Sequence, residues 1–76
     1  MNIVQLPIEE LTPYEHNPRN NKKAIKYVAN SIRDFGFKSP IILDTNKVII
    51  CGHTRYEAAK VLGYTHVPCI VRSEEH

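Results

Sequence analysis

Residues 48–63 read VIICGHTRYEAAKVLG, and this stretch decides the fold of the chain. It begins with β-branched apolar residues, which predict a buried strand, and the residues after Arg55 are rich in Ala and Glu, which predicts a helix. Gly52 lies between the two and allows backbone dihedral angles that other residues avoid. We expect Thr54 to cap the helix, with Glu57 three residues later completing a capping box.

The turn at Gly52 has the local chemistry of an anion site. The first amides of the following helix point out of the turn and carry partial positive charge. Arg55 is the strongest candidate ligand, because an Arg in the first helical turn opposes the helix dipole and a stabilising role is a weak explanation for it. His53 is either a phosphate donor when protonated or an ordinary turn residue. Thr54 is either a cap alone or a cap whose hydroxyl also meets a phosphate.

The composition indicates one small globular domain. The chain has 76 residues, 42% of them hydrophobic, and we expect residues 1–76 to form a single domain, either a whole protein or a fragment of a longer one. Its net charge of +2 permits a polyanionic partner without requiring one. No apolar run approaches the roughly 20 residues of a membrane span, so we expect a cytoplasmic protein.

The two cysteines predict neither a disulfide scaffold nor a metal site. Cys51 and Cys69 both lie in apolar, strand-like runs, where a free Cys commonly acts as a small buried hydrophobic residue. A zinc site would have to combine these two cysteines with His53 and His66. That spacing matches no common structural zinc motif, and we therefore predict no bound metal.

Upstream of the opening stretch, the sequence predicts a strand and a binding loop. Residues 1–6 have the alternating side-chain pattern of a short strand, which Pro7 should end. Residues 8–11 should form at most one helical turn. Residues 12–21 read TPYEHNPRNN, and the two prolines of this segment stiffen it into a loop suited to binding. The polar side chains that this loop presents are those of Glu15, His16, Asn17 and Arg19.

A helix is predicted from Asn20 or Asn21 to Phe35, with Gly36 as its stop. Its apolar residues recur at spacings of three and four, which indicates one buried face. They are Ala24, Ile25, Val28, Ile32 and Phe35. Its basic residues fall mainly outside this stripe and form either a solvated face or a nucleic-acid surface. The basic residues are Lys22, Lys23, Lys26 and Arg33.

The rest of the chain predicts a hairpin, a helix and a strand. Residues 41–43 and 48–50 are apolar runs separated by DTNK, which predicts a β-hairpin. The helix of the opening stretch should end at Gly63. A last strand follows at residues 67–71, and Pro68 predicts that it lies at a sheet edge or begins its pairing after the proline. This order predicts an α+β fold with a small mixed β-sheet and two main helices.

Several motifs then follow one another in an order that resembles the N-terminal domain of the ParB/sulfiredoxin superfamily. They are NPR at residues 17–19, SIRDFGF, SPIIL, GHTRYEAAKVLG and VPCIV, and the resemblance covers about residues 3–71. The sequence is similar to the ParB-like (ParB-like nuclease) domains of phage and plasmid proteins, and this resemblance implies a ParB/sulfiredoxin-like fold. It further implies that the loop residues Asn17 and Arg19 help to close a site for CTP or ATP with Mg²⁺. The phosphate-binding residues that it implies are Gly52, His53, Thr54 and Arg55.

The turn departs from that of the partition proteins. Those proteins carry an acidic residue and two arginines after the glycine, whereas His53, Thr54 and Arg55 follow Gly52 here. One charge-assisted contact is worth about 1.5–3 kcal/mol, so losing one guanidinium is expected to weaken phosphate binding by about tenfold to a hundredfold. The DNA-reading helix-turn-helix of those proteins would lie beyond His76, and we do not expect sequence-specific DNA binding to be inherited.

Two other branches of the superfamily supply enzyme hypotheses. Sulfiredoxin has its catalytic cysteine where this chain has His53, and Cys51 lies two residues earlier, so sulfinic acid reduction lacks its nucleophile. Free-serine kinases have a similar turn and a catalytic carboxylate in the loop, which matches Glu15.

Three functions therefore stay open. The first is a nucleotide-binding domain of a DNA-associated partition, regulatory or DNA-modification protein, either as a homodimer or fused to a DNA-modifying domain. The second is a phosphoryl-transfer or nuclease-type enzyme with Glu15 as its base. The third is a DNA-binding domain that uses the basic helix face.

Overall fold

The fold was examined in a computed structural model, which describes residues 2–14 and 22–72. The predicted α+β architecture is confirmed. None of the helices in these residues is long and apolar enough to cross a membrane. In chain order the elements are strand β1 (Val4–Pro7), a 3₁₀ turn (Ile8–Glu10), helix α1 (Lys22–Phe35), strands β2 (Ile41–Leu43) and β3 (Ile49–Cys51), helix α2 (His53–Leu62) and strand β4 (His66–Val71).

The four strands form one mixed sheet in the order β1-β4-β2-β3. Strand β4 runs antiparallel to β1 and parallel to β2, and β2 and β3 form the predicted antiparallel hairpin. Because β4 lies inside the sheet, the edge position predicted from Pro68 is wrong. The other interpretation, that pairing begins after the proline, holds only for β2, where pairing begins at Cys69. Pairing with β1 already includes His66, Val67 and Pro68. Pro68 has no N–H to donate, and the parallel ladder starts at the next residue.

The core lies between the sheet and α2, and α1 packs against α2. One face of the sheet supplies fully buried side chains that meet Tyr56 and Ala59 of α2, so Tyr56 is a core residue. These sheet residues are Ile41, Leu43, Ile49, Val67 and Cys69. A second cluster, of Ala29, Ile32 and Ala58, joins α1 to α2. The core therefore consists of two clusters, one between the sheet and α2 and one between α2 and α1.

The two cysteines differ in environment. Cys69 is buried as predicted, its thiol donates to the carbonyl oxygen of Val67 at 3.4 Å, and burial raises the pKa of this thiol. Cys51 is exposed, so the prediction of a buried side chain there is wrong. The pairing of β3 with β2 shifts register next to this residue, and the shift turns the end of β3 out of the core.

Helix α1 buries a slightly different stripe from the one predicted. Phe35 is 70% exposed, whereas Ala29, which was not predicted to be buried, is 5% exposed. The buried stripe runs through Ala29 and Ile32, and its next position is Gly36, where the backbone leaves the helix with φ +88°. Phe35 therefore lies beside the stripe at the helix end.

Two contacts around the hairpin place the N-terminal segment beside β3. Lys47 Nζ lies 2.6 Å from Glu10 Oε1. Thr12 donates its N–H to the carbonyl oxygen of Lys47 and accepts from the N–H of Ile49, both at 2.9 Å. The chain after Thr12 consequently runs parallel to β3 and reaches the start of α2 at Tyr14.

Candidate functional site

The strand turns into the helix at a single residue. Gly52 adopts the left-handed conformation (φ 103°, ψ 25°) and is the N-cap of α2, which begins at His53. The predicted cap at Thr54 and its capping box with Glu57 are therefore wrong, because the left-handed glycine starts the helix earlier and places Thr54 inside its first turn. The Glu57 carboxylate instead lies 3.9 Å from the Lys60 ammonium.

The start of α2 offers backbone donors in a row. The first intrahelical hydrogen bond runs from the N–H of Tyr56 to the carbonyl oxygen of Gly52, at 2.9 Å. The amides of His53, Thr54 and Arg55 precede that bond and have no acceptor within the helix. Among residues 2–14 and 22–72, no side chain caps this end. Exposed amides at the positive end of a helix dipole form a binding place for an anion.

Arg55 lies directly against this turn. One guanidinium nitrogen, Nη2, donates to the carbonyl oxygen of Pro40 at 3.2 Å, which links α2 to the residue before β2. The buried Nε has no hydrogen-bond partner among the described residues. A buried N–H without an acceptor costs about 1–3 kcal/mol. The contact of Arg55 with Pro40 is structural, and the sequence did not indicate it. The Nε of Arg55 is a donor for which the described residues supply no acceptor.

Close packing explains why the turn needs glycine. A Cβ built on Gly52 would lie 3.1 Å from Arg55 Nη2 and 3.3 Å from Ile41 Cγ1. It would also lie 3.4 Å from the Ile41 Cα. A side chain at this position would therefore have two costs. It would strain the left-handed backbone, and it would press against the guanidinium of Arg55.

His53 joins the turn to a neighbouring cleft. Its Nε2 accepts a hydrogen bond from the backbone N–H of Tyr14 at 3.4 Å. Both residues line a cleft of about 290 Å³. The walls of this cleft are mainly apolar, and its other lining residues are Asp44, Val48, Ile49 and Ile50.

The predicted site residues are brought together only in part. Gly52, His53, Thr54 and Arg55 form one turn. Glu15, Asn17 and Arg19 lie outside the described residues, so their roles as base and as loop contacts stay predictions. Within residues 2–14 and 22–72, no three His, Cys, Asp or Glu side chains are placed to hold a metal ion.

The basic face of α1 is exposed. Arg33 is partly neutralised, since its Nε lies 3.7 Å from Asp34 Oδ1. The first turn of α1 carries no acidic residue, so within the described residues its two lysines, Lys22 and Lys23, stand at the positive end of the helix dipole without a carboxylate in the same turn. Lys26 follows in the next turn.

Two residues of the site, Pro40 and Tyr14, were not anticipated from the sequence. The hairpin itself carried a signal for Pro40: antiparallel pairing places the start of β2 beside the end of β3, and hence beside Gly52. No comparable signal existed for Tyr14, because its position depends on the bridge between Thr12 and Val48, a contact between distant parts of the chain.

Comparison with known proteins gives the relatives of this chain. The sequence matches the ParB N-terminal domain family over residues 1–76. YnaK of Escherichia coli, a ParB-like nuclease domain-containing protein, is 39% identical over 74 residues, which cover 96% of this chain and 85% of the relative. A probable chromosome-partitioning protein ParB of Rickettsia conorii is 38% identical over 74 residues, which cover 93% of this chain and 26% of the relative.

Two solved structures have the same fold. The C-terminally truncated chromosome-partitioning protein ParB from Caulobacter crescentus, complexed with CTP-γ-S, matches with a TM-score of 0.82 at 28% identity, covering 99% of this chain and 46% of that chain. Sulfiredoxin from Arabidopsis thaliana matches with a TM-score of 0.85 at 28% identity, covering 96% of this chain and 86% of that chain.

The mixed sheet and the glycine turn before α2 make this a ParB/sulfiredoxin-like domain. Within that superfamily, the chain belongs to the ParB N-terminal domain family. It spans 85% of the E. coli relative but only about a quarter, 26%, of the Rickettsia partition protein.

Proposed function

We propose that the chain binds a nucleotide, CTP or ATP with Mg²⁺, whose phosphates lie on the first turn of α2. The phosphate oxygens accept from the backbone amides of His53, Thr54 and Arg55, with the Arg55 side chain beneath them. In this role the domain is the nucleotide-sensing part of a cytoplasmic, DNA-associated protein that acts in partition, regulation or DNA modification. The ParB relative that was solved with CTP-γ-S supports this choice of ligand class.

The observation that carries the proposal is that, among the described residues, the start of α2 has no side-chain cap and the guanidinium of Arg55 lies against the same turn. The three amides are hydrogen-bond donors without a helical acceptor, and the guanidinium carries a positive charge. A phosphate group supplies the acceptors for the amides and a negative charge for the guanidinium. The cleft beside His53 provides an adjoining surface for the rest of the ligand.

The test is a thermal-shift panel of CTP, ATP and GTP, each with and without Mg²⁺. A ligand at a hundred times its dissociation constant stabilises by about 2.7 kcal/mol, which raises the midpoint of so small a domain by several degrees. We expect a shift for CTP or ATP with the unmodified chain, and its loss in Arg55→Met, which keeps the apolar stem and removes the charge.

Arg33→Met is the matched control, since Arg33 is an exposed arginine on α1 paired with Asp34. It should keep the full shift. If no nucleotide stabilises the chain, or if Arg55→Met and Arg33→Met respond alike, the proposed site is wrong.

A second candidate function, DNA binding through α1, is favoured by the uncompensated basic first turn of that helix. Lysines at this end oppose the helix dipole, and a polyanion would offset the cost. A protein that tracks phosphates loses affinity steeply as salt rises. Binding of duplex DNA at low salt that is lost in the Lys22→Gln, Lys23→Gln, Lys26→Gln triple variant would support this function. The absence of binding at low salt would exclude it.

A further inference from the structure

Lys47 has an unusual backbone conformation for its residue type. Its φ is +64°, and within residues 2–14 and 22–72 it is the only residue other than glycine with a positive φ. It ends the turn between β2 and β3, where its N–H donates to the carbonyl oxygen of Asp44 at 3.0 Å. Gly and Asn adopt this left-handed conformation more readily than Lys does. The turn alone therefore does not explain a Lys at this position.

The contacts of Lys47 reach a different part of the chain. Its Nζ lies 2.6 Å from Glu10 Oε1, and each of the two side chains is a little under half exposed. Its carbonyl oxygen accepts from the N–H of Thr12 at 2.9 Å, so that Lys47 holds the segment after β1 through both its side chain and its backbone. A residue in a strained conformation that makes such contacts is a candidate for a role outside its own turn.

The segment that Lys47 holds leads to the cleft beside His53. We call residues 10–14 the wall segment, because Tyr14 at its end lines this cleft together with His53. The N–H of Tyr14 lies 3.4 Å from His53 Nε2, a long hydrogen bond that holds the end of the segment only weakly. Leu11, which is 4% exposed, anchors the segment in the core near its start. The contacts with Lys47 therefore help to fix the position of the Tyr14 wall.

We propose that Lys47 is a positioning residue for the candidate nucleotide site: it fixes the wall segment, and with it the Tyr14 wall of the cleft. Lys47 is not among the described residues that line the cleft, so it acts on a ligand there through the wall segment. The proposal rests on the proposed function, since only that function makes the cleft part of a nucleotide site. An exposed ion pair changes an equilibrium by at most about fivefold, so Lys47 adjusts the affinity of the site and does not create it.

Amide hydrogen exchange of the free chain tests the positioning without any nucleotide. Lys47→Met keeps an apolar stem and removes the charge. It should speed exchange at the Thr12 and Tyr14 amides by about two- to fivefold, the range that an exposed ion pair supplies, and leave exchange in α1 unchanged. Lys60→Met is the matched control, because Lys60 is also exposed and lies 3.9 Å from a carboxylate, that of Glu57. It should leave both amides unaltered, and the same result for Lys47→Met would overturn the proposal.

The effect of Glu10 on nucleotide affinity separates positioning from simple charge attraction. Glu10→Gln removes a negative charge, so attraction alone would tighten the binding of CTP or ATP. Loss of the ion pair should instead weaken it, by about two- to fivefold. The charge-reversed pair, Glu10→Lys with Lys47→Glu, should restore the affinity to within about twofold. Tighter binding by Glu10→Gln, or no recovery in the reversed pair, would overturn the proposal.

The two measurements also separate this role of Lys47 from the proposed function. If no nucleotide binds the unmodified chain, the proposed function is wrong, and exchange at the Tyr14 amide alone decides whether Lys47 positions the wall segment. If a nucleotide binds Lys47→Met as tightly as it binds the unmodified chain and Lys60→Met, the nucleotide site stands and the positioning role of Lys47 is wrong.

Discussion

Gly52 is the residue on which the candidate site depends. Its φ is +103°, and a Cβ added there would lie close to Arg55 and Ile41. We therefore expect Gly52→Ala to destabilise the fold by about 2–4 kcal/mol, from backbone strain and overpacking together. Gly63→Ala is the control, because Gly63 also has a positive φ (+82°) but no atom within 4 Å of a built Cβ. It should cost only about 1–2 kcal/mol. Urea denaturation measures both, and equal losses would show that the contacts at Gly52 do not matter.

At this scale the sequence predicted the position of the turn better than its geometry. The turn at Gly52 was predicted correctly, because Gly between a strand and a helix has a direct conformational meaning. The phosphate-binding roles of His53, Thr54 and Arg55 stay predictions. The cap was misassigned to Thr54, because a Thr and a Glu three residues apart indicate a capping box whether or not the helix has already begun. The bond from Arg55 to Pro40 depends on the hairpin bringing distant residues together, which no local pattern encodes.

Among the elements, the hairpin between β2 and β3 has a turn in which one carboxylate adds to the backbone hydrogen bonds. Asp44 Oδ1 accepts from the backbone N–H of Asn46 at 2.8 Å and from that of Val48 at 3.0 Å. Asp44→Ala should therefore destabilise the chain by about 1–3 kcal/mol, because both amides lose an acceptor. Thr45→Ala, an exposed change in the same turn, should have an effect within about 0.5 kcal/mol. Equal denaturation midpoints for the two variants would contradict this role of Asp44.

The sequence predicted which segments are helices and strands better than it predicted where they lie in the sheet and the core. The hairpin and the two helices follow from apolar spacing and from Gly stops, which are local signals. The interior position of β4 does not follow, since it is set by a parallel pairing with β2 and an antiparallel pairing with β1. Phe35 was assigned to the buried face for a similar reason: spacing defines a stripe, but the packed partner decides where the stripe ends.

In the whole molecule, the end of β3, the start of α2 and the segment around Tyr14 meet at one edge of the sheet. The order of motifs predicted this fold through its resemblance to ParB-like domains, and family membership confirms it.

The most direct test of the phosphate site is a nucleotide titration of the isotopically labelled chain, in which backbone amide NMR shifts are followed with CTP or ATP and Mg²⁺. We expect the amides of His53, Thr54 and Arg55 to shift most and to saturate together, because phosphate oxygens accept from them. Amides near Gly36, at the opposite end of α1 from its lysines, should barely move. Largest shifts at Lys22–Lys26, or no saturable shift at the start of α2, would contradict a phosphate site at the Gly52 turn.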